Sequence, residues 1–354
     1  MGIDVTVMTP DEAGHCGWDD YVSSHPEATP YHRLAWIRAI TEAYGHQVYG
    51  LTARDQDGRL TGVLPLSLVK PPLTRGTLTS LPFCDLGGPL ADSDEITEAL
   101  KRAAVELAGA HGLSRVHLRL GGAEVTEPVP GEGKVRMLLD LPESGEALFR
   151  SYKPKLRSQI RKAEKNGLVA EVTTSPEAIT GFYQVFAGNM HRLGSPVHSL
   201  RWFQALKAAY GEQMVIGLVR HGDDIVGAGI VLLNGHKASI PWASTDVAFN
   251  RLAPNMLLYW SFLEYLADRG YQVFDFGRST PGEGTWRFKK QWGARSHALE
   301  WISIASEDSQ PVSDEARPDR AHGRGRACAE WLWKRMPLWL ANLLGPRLRK
   351  YVTL

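Results

Sequence analysis

The residues best suited to chemistry lie in one stretch, Phe274–Trp292, reading FDFGRSTPGEGTWRFKKQW. An apolar strand expected over Gln272–Phe276 ends in Gly277-Arg278-Ser279. A loop with Pro281, Gly282 and Gly284 follows, then the aromatic-basic run Trp286-Arg287-Phe288-Lys289-Lys290. Loops hung from strand ends are where rigid scaffolds carry their chemistry. Flexible glycines, cations and aromatic faces together suit an anionic, partly planar substrate; the plainer reading is a surface hairpin whose basic residues are solvated. A second cationic concentration is Arg150–Lys165, RSYKPKLRSQIRKAEK. On a helix Lys153, Arg157, Arg161 and Lys165 share one face, while Leu156, Ile160 and Ala163 make a buried stripe. Glu164 is the one carboxylate in the run, so this is not a mixed salt-bridge surface. Lys155, Arg157 and Arg161 could hold the phosphates of a nucleotide-linked substrate or a tRNA acceptor end, against the alternative of a solvated helix face.

Other constellations are missing. There is no G-x-S-x-G elbow, H-E-x-x-H pair, P-loop or dinucleotide fingerprint. The twelve histidines are scattered; His191, at a helix end beside Arg192, reads better as a capping group than as a base. Cys16, Cys84 and Cys328 are far apart and odd in number, so neither a disulfide framework nor a zinc site is expected, and a reducing cytoplasm fits.

A chain of 354 residues has length for about two domains. Its 43% hydrophobic and 22% charged residues describe an ordinary globular protein. A net charge of +1 gives no global reason to bind nucleic acid or acidic membranes, so any such affinity is local. No signal sequence or membrane span is expected. Met1-Gly2 and Thr6 formally match an acylation signal, but Ile3, Val5 and Val7 alternate as a strand does.

The elements that position these residues come in two similar series. The first has a strand Ile3–Met8, helices Asp11–Ser23 and Arg33–Tyr44, a hairpin of Val48–Arg54 and Leu60–Val69, a helix Asp94–His111, and strands Arg115–Leu120 and Val135–Leu141. The second has helices Ser144–Asn166, Ser175–Leu193 and Arg201–Tyr210, and strands Met214–His221, Ile225–Asn234 and Lys237–Ser244. A helix Asn255–Arg269, the strand Gln272–Phe276 and a strand near Ala298–Ile304 complete it. Trp36, Tyr44-Gly45 and Gln47 recur at the same offsets as Trp202, Tyr210-Gly211 and Gln213, which argues for two equivalent α/β domains. We expect an N-terminal domain over residues 1–142, a C-terminal domain over 143–305, a polar linker over 306–326 and a basic amphipathic tail over 327–354. In the tail Leu332, Met336, Trp339, Leu340 and Leu343 form an apolar stripe flanked by Lys334, Arg335, Arg347, Arg349 and Lys350. Pro337 should kink or split that helix. Docking on protein is favoured over lying on anionic lipid.

Helices, an antiparallel hairpin or meander, then helix and strand is the element order of the GNAT acyltransferase fold, and it argues against a doubly wound sheet. Where acetyl-CoA-using GNAT enzymes carry a glycine-rich pyrophosphate turn, this chain has Arg251-Leu252-Ala253-Pro254-Asn255-Met256. Proline removes an N–H donor and no glycine permits close approach, so Arg251 would have to hold the pyrophosphate. Gly62–Leu66, Ser80–Gly88, Lys155–Lys162, Arg192–Pro196, Phe274–Arg278, Phe288-Lys289 and Leu344–Pro346 together resemble the Fem-like transferases (FemA, FemB, FemX). They are most similar to the FemAB-like proteins associated with exosortase/PEP-CTERM and exopolysaccharide systems. The resemblance spans essentially the whole chain. It implies two tandem GNAT-like domains with mixed, mostly antiparallel sheets and an interdomain cleft, and transfer of an amino acid from aminoacyl-tRNA to an amine of a peptidoglycan precursor. It further implies that Phe288 packs against substrate and Lys289 stabilises developing negative charge; a preorganised cation can do this for an acyl-transfer oxyanion. The coiled-coil insertion by which some members grip tRNA is absent.

The expectation is therefore an N-acyltransferase acting on an amine of a cell-envelope precursor. Lys289 and Arg278 would serve catalysis. Phe288, Trp242, Ser279, Lys155, Arg157, Arg161, Arg192 and Arg251 would bind substrate. No metal or tightly bound cofactor is expected, and the donor is aminoacyl-tRNA or acyl-CoA. Two alternatives stand beside it: a CoA-dependent acetyltransferase of a small amine, and a non-catalytic scaffold docking through the C-terminal helix. The expected place is the cytoplasm or the inner face of the membrane.

Overall fold

The structure is a computed structural model describing residues 3–305, 312–313 and 330–353. The Met1-Gly2 acylation signal, Cys328, the start of the tail at 327–329 and the linker apart from Val312–Ser313 lie outside the described residues. The chain divides into two compact units. One comprises Met1–Ala123, Ala298–Pro318 and Lys350–Leu354; the other comprises Glu124–His297 and Asp319–Arg349.

The first unit opens with β1 (Asp4–Met8), α1 (Pro10–Ala13), α2 (Trp18–Ser24) and α3 (Leu34–Tyr44). The single helix expected over Asp11–Ser23 is two, because the chain turns over residues 14–17 and Gly17, just before α2, takes φ 82°, a left-handed conformation that a continuous helix does not contain. Then come β2 (Gln47–Arg54), β3 (Leu60–Val69), the short β4 (Thr77–Thr79) and β5 (Leu90–Ala91), α4 (Asp94–Ala110) and β6 (Val116–Glu124). The sheet runs β1-β2-β3-β4-β6, antiparallel except for the parallel β4/β6 pair. Ser93 caps α4 by accepting from the Ile96 N–H. The helix buries Ile96, Leu100, Ala104 and Ala108, spaced by four, over Leu51, Leu64, Leu66 and Leu118. Between β4 and β5 the backbone is held in unusual shapes, with Leu81 at φ 61° and Phe83 at φ 70°. Arg119 fixes them: its guanidinium donates to the carbonyls of Leu81 (2.9 Å), Cys84 (2.5 Å) and Thr353 (3.0 Å).

The second unit holds β7 (Val135–Asp140), α5 (Gly145–Ser151), α6 (Pro154–Lys165), β8 (Leu168–Thr173), α7 (Ala178–Leu193), α8 (Leu200–Tyr210), β9 (Met214–His221), β10 (Asp224–Asn234), β11 (Lys237–Thr245), α9 (Pro254–Ala267), β12 (Val273–Ser279) and α10 (Gly284–Gln291). The strand β13 (Arg295–Ile304) begins in this unit and ends in the first; β14 (Val312–Ser313) pairs with it. The second unit's sheet runs β7-β12-β11-β10-β9-β8, with β11/β12 its parallel pair. The long helix expected over Ser144–Asn166 is split, since Pro154 opens α6 and disfavours helical backbone at Lys153. β8 was not anticipated: it is short, and its alternation is masked by half-exposed positions. The compact units also part at 123/124 and 297/298, where the sequence suggested 142/143. The strand at 135–140 pairs with β12 (Leu138 with Asp275), while residues 298–304 belong to the first unit.

Within each unit the repeated letters have the same structural meaning. α3 and α8 end at Gly45 (φ 69°) and Gly211 (φ 54°), and each leads into an antiparallel hairpin. Trp36 and Trp202 are fully buried.

The C-terminal segment is helical over residues 330–335 (α11) and again over Leu338–Arg349 (α12). The break at Met336-Pro337 is the one the proline foretells. The segment docks on its own unit. His191 Nε2 lies 2.7 Å from the Met336 carbonyl, Arg349 Nε donates to His198 Nε2 (3.1 Å), and Trp333, Ala341 and Gly345 are buried. Burial and the adjacent Arg349 hold the His198 pKa well below its ordinary value, so the ring is neutral and can accept. Among the described residues no helix is long and apolar enough to cross a membrane.

The seat of α9 on its sheet is made by two glycines. Gly217 of β9 and Gly229 of β10 are register partners, and an added Cβ would lie 2.5 Å and 3.0 Å respectively from the Phe262 ring. Gly217→Val should therefore lift α9 from the sheet and cost about 1–3 kcal/mol. A urea titration would show this as a lower midpoint at unchanged slope.

Candidate functional site

The site is built where β11 and β12 part. The two strands pair in parallel over only three positions, the last being Ser239 with Asp275. Beyond this point each strand carries a bulge. On β11 the step from Ser239 to Trp242 answers a two-residue step on β10 (Leu232 to Ile230), and Pro241 sits in the extra turn, where no ladder donor is needed. On β12 the step from Asp275 to Arg278 answers Leu138 to Arg136 on β7, with Gly277 at φ 72°. The strands diverge, and β11 beyond Ser239 has an edge that β12 does not fill.

Asp275 and Lys289, with Arg136 and Ser239, hold this geometry. Asp275 is 4% exposed. Its Oδ2 accepts from Arg136 Nε (2.8 Å) and Ser239 Oγ (3.4 Å), and its Oδ1 accepts from the Gly277 N–H (2.8 Å). Lys289, 8% exposed, donates from Nζ to the carbonyls of Gly277 (3.1 Å) and Arg278 (2.8 Å). The polar backbone groups freed by the β12 bulge are thus answered by a carboxylate on one side and an ammonium on the other.

The aromatic-basic run is a helix, not a loop or hairpin. α10 starts after Glu283, and its Phe288 packs edge-on against Tyr259 (5.0 Å between centroids) and near Trp292 (6.1 Å). Trp286 Nε1 donates to Ser296 Oγ (3.0 Å), and the Lys290 ammonium lies 4.5 Å from the Trp286 ring centroid. Trp242 belongs elsewhere. The β11 bulge turns it out of the cluster that contains Ala238 and Ile240, and it packs against Phe203 (5.0 Å), His198 and Trp202. Phe288 and Trp242 therefore pack against different neighbours.

Arg278 and Ser279 end β12, opposite Arg136 and Val135. Ser279 is 4% exposed, and its Oγ has no hydrogen-bond partner among the described residues. Next to it, the Thr280 hydroxyl receives Lys134 Nζ (2.5 Å).

The cationic face of α6 is divided. Lys155 lines a cavity of about 760 Å³, whereas Arg157 and Arg161 are not among its lining residues; Arg161 stacks on Phe149 (5.2 Å). Arg192 donates to Asn189 Oδ1 (2.9 Å) and lines a separate cavity of about 390 Å³ with Thr245 and Asp246. Arg251 is exposed on the short 3-10 turn Val247–Leu252, and Ala253 at φ 66° hands the chain to Pro254 at the start of α9.

Sequence reasoning missed Asp275, Arg136 and His297. The signal for the first was present, since a carboxylate between Phe274 and Phe276 in an apolar strand must find a partner. His297 Nε2 is buried with no hydrogen-bond partner among the described residues. Burial chiefly lowers the His297 pKa, with Arg136 and Arg295 acting the same way and Glu124 and Asp275 opposing. The imidazole is neutral at physiological pH.

Residues 150–290 match the family described as an acetyltransferase (GNAT) domain. The fold is similar to the crystal structure of FemX, with 16% identity and a TM-score of 0.65 over 84% of this chain and 97% of that one. It is also similar to the C-terminal domain of a putative lysylphosphatidylglycerol synthetase from Agrobacterium fabrum (12% identity, TM-score 0.55, 90% and 96% covered). A tandem GNAT protein from the clavulanic acid biosynthesis pathway matches at 12% identity and TM-score 0.53, covering 87% and 100%. No curated protein matches the chain.

Because Lys289 answers two carbonyls of the β12 bulge, Lys289→Met should lower stability by about 1–3 kcal/mol, the cost of leaving such groups unpaired. Equilibrium unfolding in urea measures it. An unchanged midpoint would show that the bulge holds without the ammonium.

Proposed function

A GNAT-type domain within a Fem-like tandem fold is the premise, and from it we propose that the protein is an N-acyltransferase moving an acyl or aminoacyl group onto an amine of a cell-envelope precursor. The observation that carries the reading is the parting of β11 and β12 inside the matched GNAT segment. An extended donor can lie along the edge of β11 as an added strand would, bonded by main-chain groups rather than by a dedicated pocket. The amine nitrogen attacks the donor's ester or thioester carbonyl, the new C–N bond forms as the C–O or C–S bond breaks, and the amine's proton passes by way of a base to the departing oxygen or sulfur. Positioning carries most of the rate in such a site.

In this reading Arg278 supplies the cation that meets the developing oxyanion or an acceptor phosphate, with Ser279 beside it. Lys289 acts through β12, by fixing the carbonyls of two consecutive peptide groups, those of Gly277 and Arg278. His297, neutral and with an Nε2 that has no hydrogen-bond partner among the described residues, is the group we assign to take the amine's proton. The start of α9 supports one donor over the other. A turn without glycine, entering the helix at a proline, offers few N–H groups to a pyrophosphate, which favours an aminoacyl ester over CoA. The FemX and lysylphosphatidylglycerol synthetase likenesses support an envelope acceptor.

The docked C-terminal helices suit the same setting. Trp331, Leu332, Trp339 and Leu343 are exposed, Trp339 at 68%, and Trp339, Leu343 and Arg347 share one face at intervals of four. From Trp331 to the end the chain carries five cations and no carboxylate side chain. Aromatic and leucine side chains bordered by basic residues match the surface of an anionic bilayer.

Two outcomes are expected. With aminoacyl-tRNA and acyl-CoA donors screened side by side against amine-bearing envelope precursors, Arg278→Gln should reduce kcat/KM about 100-fold, the scale of a lost oxyanion partner; no transfer from any donor would favour the scaffold alternative. The protein should co-sediment with phosphatidylglycerol liposomes and lose this in Trp339→Glu/Leu343→Glu, whereas failure of the wild type to sediment would remove the membrane reading.

A further inference from the structure

The cavity beside α5 and α6 contains an arrangement that acyl transfer does not require. Tyr152, Gln159 and Trp292 all line it, and Tyr152 Oη, Gln159 Oε1 and Trp292 Nε1 are each buried with no hydrogen-bond partner among the described residues. Tyr152 is 7% exposed and Trp292 1%. Buried polar atoms are nearly always satisfied, and leaving one unmet is costly. Three on one cavity point to a ligand that reaches at least the donors among them. Two of the three are N–H or O–H donors, and burial raises the Tyr152 phenol well above its ordinary pKa, so its proton stays in place to be donated.

The rest of the lining gives the ligand's character. Leu139, Leu141, Leu148 and Leu156 make an apolar wall, and Lys153, Lys155 and Lys290 are exposed around it. Asp140 also borders the cavity, but its carboxylate is taken by Arg295 Nη2 at 2.6 Å. Three cations and two hydrogen-bond donors are therefore set against hydrocarbon, in about 760 Å³, a volume in the range of small-molecule sites. We infer that this cavity binds an anionic amphiphile, its phosphate met by Lys153, Lys155 and Lys290 together with Tyr152 and Trp292, and its hydrocarbon chain lying on the four leucines. The inference deepens the substrate class of the proposed reaction and rests on that reading only for the ligand's use. Its test reads binding without turnover, so either can fail alone.

Isothermal titration with octyl phosphate below its micelle concentration, with inorganic phosphate, and with the uncharged octyl glucoside separates the contributions. One octyl phosphate per chain is expected, at least tenfold tighter than either control. Lys155→Glu/Lys290→Glu, which changes only exposed side chains, should weaken it about tenfold. Tyr152→Phe should raise the melting temperature by removing an unmet hydroxyl while weakening octyl phosphate, a combination that a merely structural role does not give. Inorganic phosphate binding as tightly would mean a bare anion site, octyl glucoside binding as tightly a purely apolar one, and full affinity in the double lysine variant a site elsewhere. Each of these results overturns the inference.

Discussion

A carboxylate buried in a sheet has to be answered on both oxygens, and the second unit is arranged around the answer to Asp275. Arg136 reaches it from β7, Ser239 from β11, and the Gly277 N–H from two residues along its own strand. These three bonds tie together the strands that must separate immediately afterwards. Breaking such a buried pair by removing one partner leaves an uncompensated charge, which costs far more than the pair gains. The carboxylate therefore marks the point up to which β11 and β12 run together, and the bulges beyond it set where they part.

Lys289 completes the same device from the other side. The two carbonyls it holds belong to the bulge that Asp275 begins, so a cation on α10 and an anion on β12 jointly stabilise one irregular peptide. This gives the Phe288-Lys289 pair a physical role that its resemblance alone did not supply. Phe288 anchors α10 on Tyr259 and Trp292, and the anchored helix delivers the ammonium to the strand. Arg278 and Ser279 then follow at a fixed place on β12.

Much of this fold was legible in the letters. Strongly periodic helices and the β2–β3 and β9–β10 hairpins were readable because alternation and turn residues agree there, and the shared Trp, Tyr-Gly and Gln revealed the duplication. What was not legible has specific causes. α10 hides behind Pro281, Gly282 and Gly284, which read as loop although the first two precede the helix and Gly284 opens it. Lysine is almost never buried, so the letters gave no hint that Lys289 faces inward. The displacement of Trp242 depends on one extra residue in β11, and bulges flip side-chain parity without leaving a clear mark beyond Pro241. Arg157 and Arg161 were grouped with Lys155 by their charge. Only the side-chain surroundings separate a lysine on a cavity from an arginine stacked on Phe149.

The first unit is discontinuous in sequence. Its sheet takes a strand from residues 298–304, and Arg119, the Phe83 N–H and His46 are satisfied by carbonyls at Thr353 and Lys350. Domains usually complete themselves from the N-terminus as the chain leaves the ribosome. Here residues 1–123 emerge first with β6 lacking its neighbour, and they wait through the synthesis of the whole second unit for the residues that close them. β6 pairs with β4 on one side, but an open strand edge is an invitation to pair with another chain, so the nascent protein spends most of its translation with the other edge in need of protection. Order of birth and order of completion are reversed in this chain.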